Sequence, residues 1–264
     1  MSDRTVLEIA DGLARLRLTR PDRRNAIDMA MAGGIAERMD QLVAATDGGD
    51  VRAVLIEAEG PAFTVGGDVD HLAGQLDRLS AELDDMITRF HGALARLAEL
   101  PVPVVTAARG AVAGGGLGLF WCADLAIAGD DLRIATGFAR LALSGDGGSS
   151  WHLPRLVGLR RAQELLLGGR VLDAAEALDW GLVTRVVPAD ELATHALAVA
   201  RELVEGPTYA FGRMKRLLRE SGGNTYREQL EAERAAIVDC GATSDGREGL
   251  AAFAERRSPR FTGR

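Results

Sequence analysis

Lysine is almost missing from this chain of 264 residues. Lys215 is the only one, and arginine carries the rest of the positive charge. That bias reflects GC-rich coding and says little about chemistry. Cysteine is scarce too: Cys122 and Cys240 lie far apart and show no metal-ligand spacing, so no metal is expected and a reduced, cytoplasmic protein is. Cys122, between Trp121 and Ala123, reads as buried packing. Long apolar runs are also absent. Nothing approaches the roughly 18 residues of a membrane span, and Met1-Ser2-Asp3-Arg4 lacks the apolar core of a signal peptide. Acidic residues outnumber basic ones, for a net charge of −7, which argues against a general nucleic-acid surface. An anionic ligand stays possible, because a small pocket needs only a few local arginines. No short-period repeat or low-complexity tract is visible.

What is present is an ordinary globular composition, 47% apolar and 26% charged, on a chain long enough to bury a full core. Two glycine clusters stand out. Phe63-Thr64-Val65-Gly66-Gly67-Asp68 follows the β-like run Val51–Glu57, and Ala113-Gly114-Gly115-Gly116-Leu117-Gly118 follows Val102–Ala107. Each precedes a helix-like segment. Glycine lets a ligand approach the backbone directly, and a helix start adds free N–H groups and a positive dipole end. Two such amides aimed at one carbonyl oxygen make an oxyanion hole for acyl chemistry.

Elsewhere, Val6–Ile9 and Ala14–Leu18 alternate about Asp11-Gly12 and predict a hairpin. Asp28 to Val43 predicts an amphipathic helix, and Leu79 to Leu100 has helical spacing up to Pro101. From Ala162 the chain turns largely helical, over Ala162–Leu167, Ala174–Leu178, Asp190–Leu203, Tyr209–Arg219 and Thr225–Cys240. Strands alternating with helices predict an α/β core. A soft boundary at Gly206-Pro207 divides a core of residues 1–205 from a C-terminal helical segment of 206–264.

At the glycine loops the chain resembles the crotonase superfamily, the enoyl-CoA hydratase/isomerase family. The likeness also takes in Arg20-Pro21…Asn25-Ala26, Cys122-Ala123-Asp124-Leu125, Leu153-Pro154-Arg155-Leu156-Val157-Gly158 and the ending Phe253…Glu255-Arg256-Arg257…Pro259…Phe261. It implies a spiral of repeated ββα units, a C-terminal helical region for trimerisation, and an acyl-CoA thioester substrate. Coenzyme A is then part of the substrate, and no separate cofactor, nucleic acid or membrane is implied. The expected assembly is a homotrimer or a dimer of trimers. By position, the amides of Gly67 and Gly115 would hold the thioester oxygen, with Gly66, Gly114 and Gly116 serving packing. Arg24, beside Arg20 and Arg23, would lie near the coenzyme A phosphates; Ala26, Asp68 and Val69 would follow the adenine and pantetheine track. Asp68 equally suits a helix N-cap.

The pattern departs from the family's hydratases, which use two glutamates. Gly118 and Phe138 stand at those places, and neither can transfer a proton. One carboxylate remains, in Leu143-Ser144-Gly145-Asp146-Gly147-Gly148-Ser149-Ser150-Trp151. This stretch resembles the loop of ring-epoxide and enoyl-CoA isomerase-like members, where the aspartate is catalytic. A turn or cap role for Asp146 is the other reading. A single carboxylate suits moving a double bond, with Phe138 and Trp151 expected to line an apolar pocket that strengthens the base. In the 4-chlorobenzoyl-CoA dehalogenase branch the corresponding aspartate attacks an aromatic ring, helped by a histidine at about the place of His91. The expectation is thus an enoyl-CoA isomerase of fatty-acid-type metabolism. Alternatives are a hydratase, a dehalogenase-like hydrolase, or an acyl-CoA-binding protein without catalysis. His71, His152 and His195 read as surface or packing residues.

Overall fold

Asp11 and Gly12, both with positive φ (51° and 79°), close the hairpin that opens the fold. It joins β1 (Thr5–Ala10) to β2 (Leu13–Leu18) in antiparallel register. The computed structural model describes residues 4–263. From β2 the main sheet continues in parallel through β3 (Ala53–Ala58), β4 (Val104–Ala108), β6 (Leu125–Gly129) and β9 (Arg185–Val187). A second sheet of three short strands holds β5 (Ala111–Ala113), β7 (Arg133–Ala135) and β8 (Val171–Asp173).

The two sheets are linked by a repeating unit of long strand, short strand and helix. β4 leads to β5 and then α4 (Leu117–Trp121), while β6 leads to β7 and then α5 (Ser149–Gly168). β3 leads to Thr64, which bridges Val112 of β5 in parallel, and then to α2 (Val69–Ala73). The parallel strands are buried on both faces, so their apolar residues run continuously. Val54 and Ile56 face the core under α1 (Met29–Asp47) and α3 (Leu79–Glu99), while Ala53 and Leu55 face a second core under α7 (Leu192–Glu205). This is the expected α/β spiral of ββα units.

Several boundaries differ from the periodicity. Asp28 caps α1, its carboxylate accepting from the Met31 N–H at 3.0 Å, and the helix runs on to Asp47. α5 begins at Ser149 and holds Pro154 and a non-helical Gly158 (φ 78°). The helices predicted over Ala174–Leu178 and Asp190–Leu203 are α6 (Ala174–Asp179) and α7. Residues beyond Glu205 form α8 (Thr208–Glu220), α9 (Tyr226–Ala242) and an unexpected α10 (Ser244–Glu255). The core holds α8 by polar contacts: Arg52 donates to Thr208 and to Gly206 O, and Lys215 pairs with Asp124 at 2.8 Å. α9 and α10 leave Tyr226, Ile237, Val238, Leu250 and Phe253 exposed, the last at 85%.

Candidate active site

Thr64 laces the first glycine loop to the second. Its hydroxyl donates to Asn25 O at 2.8 Å and accepts from the Gly66 N–H at 3.1 Å, and its carbonyl accepts from Ala113 N–H at 3.0 Å. Asn25, fully buried, in turn donates to Glu59 O and Ala62 O, which fixes the approach to the loop. Gly66 needs its positive φ of 84°, and a Cβ there would lie 2.8 Å from Ala113 O. A Cβ on Gly116 would strike the Thr64 side chain. Gly66 and Gly116 therefore serve close packing, as does Gly114 at φ 54°, in line with expectation.

Gly67 is different. Its φ is not in the left-handed region, and a Cβ would meet only Leu72 and Met86 at ordinary contact, 3.8 and 3.9 Å. Its neighbours pair with Ile27 on both sides, Ile27 N–H to Gly66 O and Asp68 N–H to Ile27 O, which leaves the Gly67 N–H turned away. It has no acceptor among the described residues. Gly115 is the second residue of a 3-10 turn, where N–H groups lie ahead of any helical acceptor. The two loops touch: the Cβ position of Gly114 is 4.0 Å from the Gly67 nitrogen.

A third loop lies against the second. Gly147 (φ 60°) packs directly on the Gly115 carbonyl, and Asp146 comes so close that a Cβ on Gly115 would lie 2.5 Å from its Oδ1. Asp146 is not an N-cap and has no partner among the described residues. Gly148 occupies the cap position of α5, the Asp146 carbonyl rather than its carboxylate accepts from the Ser149 N–H, and Oδ1 is sealed without a hydrogen-bond partner among those residues. Burial pushes the carboxyl above the ordinary aspartate range, against the pull of His91 nearby. His91 fixes the loop, its Nε2 accepting from the Gly147 N–H at 3.1 Å.

Asp146 opens on a cavity of about 900 Å³. His91, Leu94, Ala95 and Ala98 line it from one face of α3, where positions i, i+3, i+4 and i+7 align. Trp121, Trp151, His152 and Leu218 line it from elsewhere. Cys122 is there too, but burial holds its thiol protonated, pushed up to about 12. On the other side of the glycine loops a cleft of about 340 Å³ is lined by Arg23, Arg24, Ala26, Gly67, Asp68 and Val69. Exposed Arg24 has no ion-pair partner among the described residues, whereas Arg23 pairs with Asp70 at 2.7 Å. Asp68 caps α2 by accepting from the His71 N–H and is paired with Arg20 at 2.9 Å. Burial opposes its ionisation, but that N–H and Arg20 together hold its pKa below the ordinary range.

Sequence reasoning expected Gly67, Gly115 and Asp146 to act together, and the three loops do converge. Phe138 does not join them: it is buried in a 3-10 turn beside Gly145 and is absent from the cavity lining, which Trp151 does reach. The link from His91 to Gly147 and the exposure of His152 to the cavity were not anticipated. The helical spacing of His91 with Leu94, Ala95 and Ala98 was the available signal for the first.

Comparison with known proteins agrees with this geometry. Residues 8–264 match the family model described as "Enoyl-CoA hydratase/isomerase". The chain is 35% identical over 257 residues to 1,2-epoxyphenylacetyl-CoA isomerase of Escherichia coli (strain K12), covering 97% of each. It is 31% identical over 233 residues to 4-chlorobenzoyl coenzyme A dehalogenase-2 of Arthrobacter sp, covering 88% of this chain and 83% of that one. Among solved structures, an enoyl-CoA hydratase from Polaromonas sp. JS666 superposes with a TM-score of 0.91 at 30% identity, covering 97% of this chain and 99% of that one.

Proposed function

The chain belongs to the enoyl-CoA hydratase/isomerase family, and on that premise we propose that it shifts a carbon–carbon double bond within an acyl-CoA thioester. The observation that carries this reading is Asp146: a half-buried carboxylate beside Gly115 with one oxygen sealed and unpartnered among the described residues, in the lining of the larger cavity. An unpaired buried carboxylate is costly, and a role in proton transfer accounts for its being kept.

In this mechanism the coenzyme A portion lies along the cleft of Arg24, Ala26, Asp68 and Val69, and the acyl group enters the cavity. The thioester oxygen accepts from the Gly67 and Gly115 N–H groups. Ionised Asp146 takes a proton from the carbon next to the thioester carbonyl. The C–H pair forms a double bond between that carbon and the carbonyl carbon, the carbonyl pair moves onto the oxygen, and the two amides stabilise the dienolate charge there; the original double bond moves only when the γ-carbon takes up the proton and the carbonyl re-forms. Protonated Asp146 then returns its proton to the γ-carbon. Base and acid are the same group, so no net proton is consumed, and a pKa raised by burial suits both halves.

Hydration is disfavoured by Gly118. A Cβ there would lie 2.8 Å from the Gly147 carbonyl and would strike Leu94, so the space for a glutamate is filled by the loop that carries Asp146. The dehalogenase-like reading asks His91 to act as a base, yet its Nε2 is engaged by Gly147. A trimer formed through the exposed apolar faces of α9 and α10 completes the proposal.

The test is direct. Incubation with a 3-enoyl-CoA should raise the ultraviolet absorbance of the conjugated thioester, while a 2-enoyl-CoA should not gain water. Hydration of the 2-enoyl substrate without isomerisation of the 3-enoyl one would overturn the reading.

A further inference from the structure

The cavity beside Asp146 contains a polar side chain that the proton transfer does not use. His152 lies in the first turn of α5, and its ring is stacked over Gly148, whose Cβ would be 3.2 Å from His152 Cδ2. His152 lies five residues beyond Gly147 in the chain. Trp151 holds the ring edge-on, with centroids 4.7 Å apart at 76°. Arg155 lies over the Trp151 ring at 4.0 Å, and so is taken up there. Neither ring nitrogen of His152 has a hydrogen-bond partner among the described residues, and neither is sealed from solvent. Both therefore keep access to the open cavity. Burial, with Arg155 nearby, pushes the imidazole down to about 4, so near neutral pH it is uncharged, one nitrogen donating and the other accepting.

Leu94, Ala95, Ala98, Leu156 and Leu218 form the apolar part of the lining; of its charged part, Lys215 pairs with Asp124, Arg219 donates to Ala98 O and Glu220 pairs with Arg216. While the cavity holds water, water can satisfy His152. An acyl group that fills the cavity expels that water, and a hydrocarbon then leaves the imidazole buried and unpaired, which is disfavoured. We infer that His152 selects the acyl group by hydrogen-bonding an oxygen on it. The preferred substrates are acyl-CoAs whose acyl part bears a hydroxyl, ketone or ether oxygen, in place of plain hydrocarbon chains. This rests on the reading of the cavity as the acyl pocket.

The experiment reads affinity, so it does not depend on turnover. Wild-type protein, His152→Leu and His152→Gln are titrated calorimetrically with hexanoyl-CoA and with hexanoyl-CoA bearing a hydroxyl at C4, C5 or C6 or a ketone at C4 or C5. These saturated ligands cannot isomerise. Wild type should bind at least one oxygenated ligand about tenfold more tightly than hexanoyl-CoA, the gain of one satisfied buried hydrogen bond. His152→Leu should lose that preference, and His152→Gln, which still donates and accepts, should keep most of it. Should the leucine variant not fold, the ring ¹⁵N shifts of His152 in the wild type give the same answer, moving with the preferred oxygenated ligand and not with hexanoyl-CoA. No oxygen preference in the wild type, a preference that survives in His152→Leu, or ring shifts indifferent to the oxygen would overturn the inference. Failure of the isomerase reading would appear separately, as absent turnover of 3-enoyl-CoA with these affinities unchanged.

Discussion

His91 Nε2 accepts a hydrogen bond from the backbone N–H of Gly147, the residue after Asp146, across 3.1 Å. The bond ties α3 to the loop that carries the carboxylate, so His91 acts on the chemistry through position. His91→Phe removes the acceptor. Turnover of a 3-enoyl-CoA should fall about a hundredfold, the scale of a misplaced catalytic group, with acyl-CoA affinity nearly unchanged. His91→Gln can still accept through its side-chain oxygen and should recover most of the activity. If His91 were itself the base, glutamine would rescue nothing. Steady-state kinetics of the two variants decide.

The two oxyanion glycines should respond differently to the same small change. Gly115→Ala puts a methyl group 2.5 Å from Asp146 Oδ1, so it should lower both thermal stability and turnover, the latter by about 10²–10³. Gly67→Ala meets only ordinary contacts. Its melting temperature should stay near wild type while turnover drops, because the methyl group hinders the thioester. Equal activity of folded Gly67→Ala and wild type would remove that amide from the site.

Much of this was legible in the sequence, for physical reasons. β3, β4 and α3 carry strong apolar patterns, and the glycine loops follow them at once. The strands β5, β7, β8 and β9 hold three residues each, too few to show an alternation. The helical pattern shows α5 only from Ala162, whereas the helix begins at Ser149, contains Pro154, kinks at Gly158 and continues. Asp146 was identified, but its freedom from any capping bond depends on Gly148 taking the cap, which no local pattern reveals. Phe138 was expected in the pocket from its neighbourhood in the chain, yet the 3-10 turn buries it behind Gly145. The closure of Gly118 by Leu94 and Gly147 joins residues from three separate elements and is visible only in three dimensions.

Acidity should act on stability with opposite signs at two neighbouring groups. Asp146 has a raised folded-state pKa. The folded protein therefore binds its proton more readily than the unfolded chain, and stability falls as pH rises from the ordinary value of 3.8 through the folded one. At neutral pH Asp146→Asn should melt higher than wild type, with the difference vanishing in acid. For His152 the folded value is about 4 against an ordinary 6.5. Its contribution is complete above 6.5 and is lost as pH falls toward 4, so His152→Gln should flatten the acid side of the melting profile. Melting curves from pH 3 to 8 read both; a lower melting temperature for Asp146→Asn at neutral pH would contradict the first.

The exposed apolar residues of α9 and α10 should be covered in solution. Ile237→Asp with Phe253→Asp puts two charges on that face, where the side chains are 72% and 85% exposed in the single chain, and should convert a trimer or hexamer to monomer. Sedimentation velocity at micromolar concentration reads the outcome. A wild-type protein that sediments as a stable monomer would rule the assembly out.

The central claim is that Asp146 moves the proton, and Asp146→Asn tests it most directly. Asparagine keeps the size of the side chain and leaves the loop's backbone bonds in place while removing the base. Wild type and variant are compared on one 3-enoyl-CoA, with acyl-CoA affinity measured in parallel. Isomerisation should fall by at least about 10³ with the dissociation constant within about twofold, because binding and proton transfer use different groups. Retained isomerisation in a folded Asp146→Asn protein would contradict the account and make Asp146 a structural residue of its loop.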